Sequence, residues 1–238
     1  MNLDLTNKKT LVCGSTQGIG KAAAKELCLL GAKVVLLARN EQKLKTVAAE
    51  LSTLSKSVPD YIVADFSAPE NVRQQVREYI NKNGGFNILI NNAGGPPAGN
   101  ITDATAESFI QAFNEHLICN HYLAQECIAG MKEMGYGRII NVISTSVKQP
   151  IKGLGVSNTI RAAVGNWSKT MSIELAPFGI TVNNVLPGAT LTSRLEQIIA
   201  DKVQKTGKTE KEVVESLTTE IPAKRFANPE ETAAAIAF

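Results

Sequence analysis

The chain has no long apolar run. Its longest, such as the "VVLLA" that begins at Val34, are strand-sized and exclude a bilayer-spanning helix. The amino terminus, "MNLDLTNKKT", is polar and lacks a signal-peptide core. Excess charge of one sign is missing too. Lys and Arg number 25 against 22 Asp and Glu, a formal +3, and no basic run marks a nucleic-acid or membrane surface. The four cysteines, at 13, 28, 119 and 127, form no C-x-x-C pair, which argues for reduced thiols in a cytoplasmic protein rather than a disulfide framework. Histidine is scarcer still. His116 and His121 flank Cys119, yet positions 116 and 121 face apart on a helix, so no metal site is expected. Repeats, low-complexity tracts and linkers are also lacking.

What is present is alternation. Apolar strand-sized segments at 10–14, 33–38, 60–66, 86–94, 137–144 and 180–188 are separated by amphipathic helical stretches, the first from Ile19 to Leu30. That order predicts an α/β fold with a parallel sheet covered on both faces. With 238 residues, 44% apolar and 20% charged, one domain spanning 1–238 is the natural count. From about 190 to 222 the chain turns rich in Lys and Glu and reads as a solvated helix pair or a lid over a pocket. It stops at Phe238 within "PEETAAAIAF", an unfinished helical pattern after which one more strand is expected.

The segment "CGSTQGIG" (13–20) follows the first strand and opens a helix. Gly14 permits a tight turn, and Gly18 and Gly20 allow a pyrophosphate to approach the backbone at the helix N-terminus. With "NNAG" (91–94), Asp65 ending the third strand, Ser144 ending the fifth, and Pro187–Gly188 followed by Thr192, the chain resembles the short-chain dehydrogenase/reductase family over nearly its whole length. The resemblance implies a Rossmann-type doubly wound sheet, strand order 3-2-1-4-5-6, with a seventh strand past the present end. It implies cofactor contacts at Gly14, Ser15, Gly18, Ile19 and Gly20 for phosphates and ribose. Asp65, with Phe66 beside it, would meet the adenine; Asn91, Ala93 and Gly94 would line the nucleotide path; Pro187, Gly188 and Thr192 would frame the nicotinamide. The alternative for Asn91 and Asn92 is strand-end capping, with the cofactor role favoured in this context.

The second strand ends "LLARNEQK" with no acid before Glu41, and Arg39 suits a ribose 2′-phosphate. NADP(H) is therefore favoured over NAD(H), although Gln17 stands where many NADP-dependent relatives carry a basic residue. The motifs "NNAGG", "KQPIKGL" and "IPAKRFANPEE" look closest to 3-oxoacyl-acyl-carrier-protein reductases.

In the resembled family a tyrosine delivers the proton, a lysine four residues later assists it and binds ribose, a serine orients the substrate oxygen, and an asparagine supports a water relay. Here Ser144 matches the serine, but Ser157, Arg161 and His116 occupy the other three positions, and no Tyr-x-x-x-Lys pair exists in any register. His116 is the one nearby group of suitable intrinsic pKa, so it is expected either to supply the proton, with Ser144 and Ser157 orienting the oxygen, or to make a structural hydrogen bond. Arg161 keeps a cation for the ribose. Two functions follow: an oxidoreductase acting on a small carbonyl or alcohol through an altered proton relay, or a nucleotide-binding sensor or assembly partner without turnover. The resemblance further implies a homodimer or homotetramer built on helices at 106–134 and 158–176, with Trp167 an interface anchor or a core residue.

Overall fold

The structure, a computed structural model, describes residues 2–54 and 57–238. In chain order it runs β1 (Lys9–Cys13), α1 (Gly18–Leu29), β2 (Lys33–Ala38), α2 (Glu41–Ser52), β3 (Asp60–Val63), α3 (Pro69–Asn83), β4 (Ile88–Asn91), α4 (Ala106–Phe113), α5 (Cys119–Glu133), β5 (Gly137–Val142), α6 (Gly155–Leu175), β6 (Ile180–Val185), α7 (Ser193–Thr206), α8 (Glu210–Thr219) and α9 (Pro229–Ala237). The strands pair in parallel in the order β3-β2-β1-β4-β5-β6, as the family resemblance implies.

The strands hold apolar residues on both faces because both are covered. Alternation assigns each residue to one layer. Leu11, Val35, Leu37, Leu89 and Ile139 pack with Val72, Val76, Leu123, Cys127, Met171 and Leu175 from α3, α5 and α6. Val12, Val34, Leu36, Ile88, Ile90 and Ile140 pack with Ala23, Leu27, Leu44, Val47 and Ile236 from α1, α2 and α9. All four cysteines lie in these two layers. Among the described residues no helix is long and apolar enough to cross a membrane.

All strands but β2 end earlier than the sequence suggests, and at β3, β4 and β5 a side chain bonds to backbone just past the end. β3 stops at Val63, and Asp65 turns the chain by accepting from the Ser67 amide at 3.0 Å. β4 stops at Asn91, after which Asn92 donates to backbone across the crevice. β5 stops at Val142, and Ser144 caps a short 3₁₀ turn at 145–147 by accepting from the Ser146 amide at 3.1 Å. The order of strands reverses between β1 and β4, so a crevice opens beyond their carboxyl ends.

One polar row crosses the interior. Asn91, Asn141 and Asn184 stand side by side in register on β4, β5 and β6. Asn91 Nδ2 donates to Asn141 Oδ1 at 2.8 Å, and Asn141 Nδ2 to Ser168 Oγ at 2.9 Å. The Ser168 hydroxyl has two acceptors at 2.8 Å, Asn184 Oδ1 and the Val164 carbonyl. Ser168 thus ties α6 to the sheet, and α6 carries Ser157 and Arg161. Ser168→Ala leaves two amide groups short of a partner. It is expected to lower stability by about 1–3 kcal/mol, read as a lower urea midpoint at unchanged slope; an unchanged midpoint would show the row to be dispensable.

Candidate active site

The chain passes from β1 to α1 through a turn that only glycine satisfies at two positions. Gly14 and Gly18 have φ of +58° and +54°, the left-handed region that L side chains disfavour. Space is limiting as well. A Cβ on Gly14 would lie 2.4 Å from the Asn92 carbonyl oxygen, and one on Gly20 would lie 2.3 Å from the Gly14 carbonyl. Asn92 Nδ2 secures the turn by donating to the Cys13 and Gly14 carbonyls at 3.2 and 3.4 Å. Gln17 stands at the N-cap of α1 without a side-chain bond to the helix, and no acid occupies the first turn. The opening amides of α1 therefore lack a capping partner, and their dipole favours an anion there.

Ser15 lies inside the turn. It is fully buried, and both its amide and its hydroxyl reach the Leu37 carbonyl at 3.4 Å, so it fastens the turn to β2. Ile19 is half-buried against the α1 layer, and Gln17 is exposed, its Nε2 donating to Ser193 Oγ at 2.8 Å. Across the crevice Asn91 is buried in the polar row, its Oδ1 without a partner. Ala93 and Gly94 follow, and around Gly94 and Gly188 the space where a Cβ would stand is open. The Pro187 carbonyl accepts from the Thr145 amide at 3.2 Å, which joins the ends of β5 and β6. Thr192 caps α7, and its methyl would be 3.0 Å from a Cβ on Gly18. At the end of β2, Arg39 is exposed, and among the described residues it has no ion-pair partner. Asp65 is half-buried with one oxygen on Ser67, and Phe66 packs on the core.

Ser157 and Arg161 lie one turn apart on α6, hence on one face of it. Arg161 Nη1 donates to the Val142 carbonyl at 2.7 Å. Burial, then the nearby Arg194, draws its guanidinium down to about 10, so it stays cationic at neutral pH. His116 sits not in regular α-helix but in a wide π turn, Asn114–Ile118, between α4 and α5. It is 2% exposed and its Nε2 has no partner. Burial, Arg161 and Arg194 lower the imidazole pKa to about 3, against an opposing hydrogen bond to the Gly94 backbone. An imidazole so lowered favours the neutral form, the setting of a structural hydrogen bond more than of an acid.

No tyrosine substitutes. The hydroxyls of Tyr61, Tyr79 and Tyr122 go to Glu41, Asp60 and Glu70, and Tyr136 lies beneath Lys8 and Arg138. Trp167 packs partly buried against the core, with Nε1 donating to His121 Nδ1 at 3.4 Å. Two residues carry more than the sequence assigned them, Asn92 having been read as a cofactor residue or strand-end cap and Arg194 not singled out. Asn92 holds the glycine turn. Arg194, at the start of α7, donates to the Pro96 carbonyl, and its Nε would be 3.1 Å from a Cβ on Gly95. Its one sequence signal was its position two residues past Thr192.

The neutral imidazole has a consequence for stability. The unfolded chain takes up a proton at His116 near its ordinary 6.5, the folded chain only near 3, so stability rises with pH across that window and is lost on acidification. His116→Gln removes this contribution. Below about pH 6.5 its unfolding free energy should fall less steeply than that of the unsubstituted protein, by up to about 1.4 kcal/mol per pH unit. Parallel curves would show that His116 is not held neutral by the fold.

Residues 8–203 match the short chain dehydrogenase family. The chain is 32% identical over 230 residues to D-beta-hydroxybutyrate dehydrogenase of Rhizobium meliloti (strain 1021), covering 95% of this chain and 88% of that one. It is 28% identical over 235 residues to the NADPH-dependent reductase BacG of Bacillus subtilis (strain 168), covering 98% and 91%. Among solved structures, that of L-sorbose reductase from Gluconobacter frateurii complexed with NADPH and L-sorbose superposes with a TM-score of 0.93 at 31% identity, over 100% of this chain and 91% of that one. Sheet order, glycine turn and sequence agree, and the chain belongs to the short-chain dehydrogenase/reductase family.

Proposed function

We propose that this protein is an NADP(H)-dependent oxidoreductase that interconverts a small carbonyl compound and its alcohol without a tyrosine acid. The carrying observation is the glycine turn against an uncapped α1 N-terminus, a cradle that a Cβ at Gly14 or Gly20 would fill. The cradle fits a dinucleotide pyrophosphate, and the exposed, unpaired Arg39 fits a 2′-phosphate. The NADPH named with two of the similar proteins supports the same cofactor.

Bound there, the nicotinamide supplies or accepts a hydride. The residues of this chain do the rest. Gly94, Pro187, Gly188 and Thr192 border the space for the ring. Arg161 keeps a cation beside the ribose. Ser144 and Ser157 offer short hydroxyls to the substrate oxygen, His116 contributes a neutral imidazole, and the proton comes from water. A serine hydroxyl is a far weaker acid than a phenol, so turnover is expected about 10²–10⁴-fold below that of tyrosine-bearing relatives. The helix pair α7–α8 has its own small core of Leu195, Ile199, Val213 and Phe226, and its start touches the glycine turn through Thr192 and Ser193, which suits a lid. Exposed Ile110, Phe113 and Ile173 on α4 and α6 suit a homodimer or homotetramer, and buried thiols suit the cytoplasm. The likeness to 3-oxoacyl-acyl-carrier-protein reductases concerns the core and leaves the choice of carbonyl to residues near the lid.

The missing phenol favours one second reading, a nucleotide-binding sensor or assembly partner. Titration with NADPH and NADH, followed by cofactor oxidation across a ketone panel, separates the two. Binding with slow turnover supports the enzyme; binding without turnover supports the sensor; failure to bind either nucleotide removes both. Arg39→Ala should weaken NADPH about tenfold or more and leave NADH unchanged; equal effects would assign Arg39 no role in choosing the phosphate.

A further inference from the structure

We infer that the cluster of His116, Arg161 and Arg194 binds a carboxylate, and that the substrate is a carbonyl compound carrying an acid group. The inference deepens the enzyme reading and rests on it only for the word substrate.

Three observations converge. First, Arg161 and Arg194 come from separate elements, α6 and α7, yet each is tied to backbone by a single bond, Arg161 to the Val142 carbonyl and Arg194 to the Pro96 carbonyl. A guanidinium has five N–H groups, so both keep a free fork. Second, among the described residues neither forms a salt bridge. The acid that attracts Arg194 is Asp201, seven residues along α7, which accepts from Gln197 Nε2 at 2.8 Å. The two cations instead oppose each other's charge and that of His116. Third, His116 Nε2 is a buried polar atom with no partner, on a side chain 2% exposed.

Part-buried like charges without an acid raise the free energy of the empty site, and an orphaned nitrogen raises it further. An oxyanion between the two forks offsets both costs. Carboxylate suits the planar bidentate geometry of guanidinium, and the neutral imidazole can add one hydrogen bond without a charge. Phosphate shares the chemistry, and the cofactor's own phosphates are a rival source.

The test uses the full chain saturated with NADP⁺, with calorimetric titration of pyruvate, acetoacetate and 4-oxopentanoate, each against its methyl ester, and of inorganic phosphate. At least one acid should bind tenfold or more tighter than its ester, Arg194→Gln should abolish that preference, and Arg194→Lys should keep part of it. The NADPH affinity of Arg194→Gln, measured alongside, should stay within twofold. Acid and ester binding alike would overturn the inference. So would an Arg194→Gln protein that loses NADPH affinity and keeps the acid preference, since Arg194 would then serve the cofactor phosphates. Phosphate binding tighter than every acid would also overturn the choice of carboxylate. Should neither NADP⁺ nor NADPH bind, the same titrations are run on the nucleotide-free chain, where an acid preference lost in Arg194→Gln keeps the anion site while the enzyme reading fails.

Discussion

Backbone packed against backbone, where the β1–α1 turn meets the end of β4, is the constraint from which the rest of the site follows. A side chain at Gly14 or Gly20 would occupy space held by the Asn92 or Gly14 carbonyl. Because the two backbones meet there, the α1 N-terminus points into the crevice between β1 and β4 instead of into solvent. Asn92 then bridges the gap with hydrogen bonds to the turn. Thr192 closes the third side over Gly18, so the start of α7 is positioned by the same turn. A single loop thereby sets the uncapped amides of α1, the crevice and the edge of the helix pair.

The polar groups of the interior divide into two kinds. Those of the asparagine row are connected across three strands and α6, and such a row holds α6 in register with the sheet. Those around His116 are not connected in this way. A neutral imidazole with a bare Nε2, next to two cations with spare donors, is an arrangement that costs free energy unless a ligand completes it. Binding sites hold such groups ready because their partners arrive from outside.

The sheet was legible because its strands are short apolar runs between helical patterns, and parallel strands covered on both faces need that composition. The site was legible where glycine is required, since Gly14 and Gly18 answer to backbone conformation. Strand ends were less so: Asp65, Asn92 and Ser144 divert the chain through side-chain bonds that periodicity does not register. Ser15 lies within the motif yet turns into the sheet, because its hydroxyl meets the Leu37 carbonyl from a neighbouring strand. The intrinsic pKa of His116 is legible in the sequence, whereas its burial beside Arg161, which lowers that pKa, is not. Arg194 lies 98 positions from Pro96, and only the folded chain brings them together.

The most direct measurement of the account is a crystal structure of the protein grown with NADPH. The account predicts the pyrophosphate on the α1 N-terminal amides within the Gly14–Gly20 turn, with the 2′-phosphate against Arg39. A nucleotide bound elsewhere, or a turn whose amides face away from it, would contradict the claim.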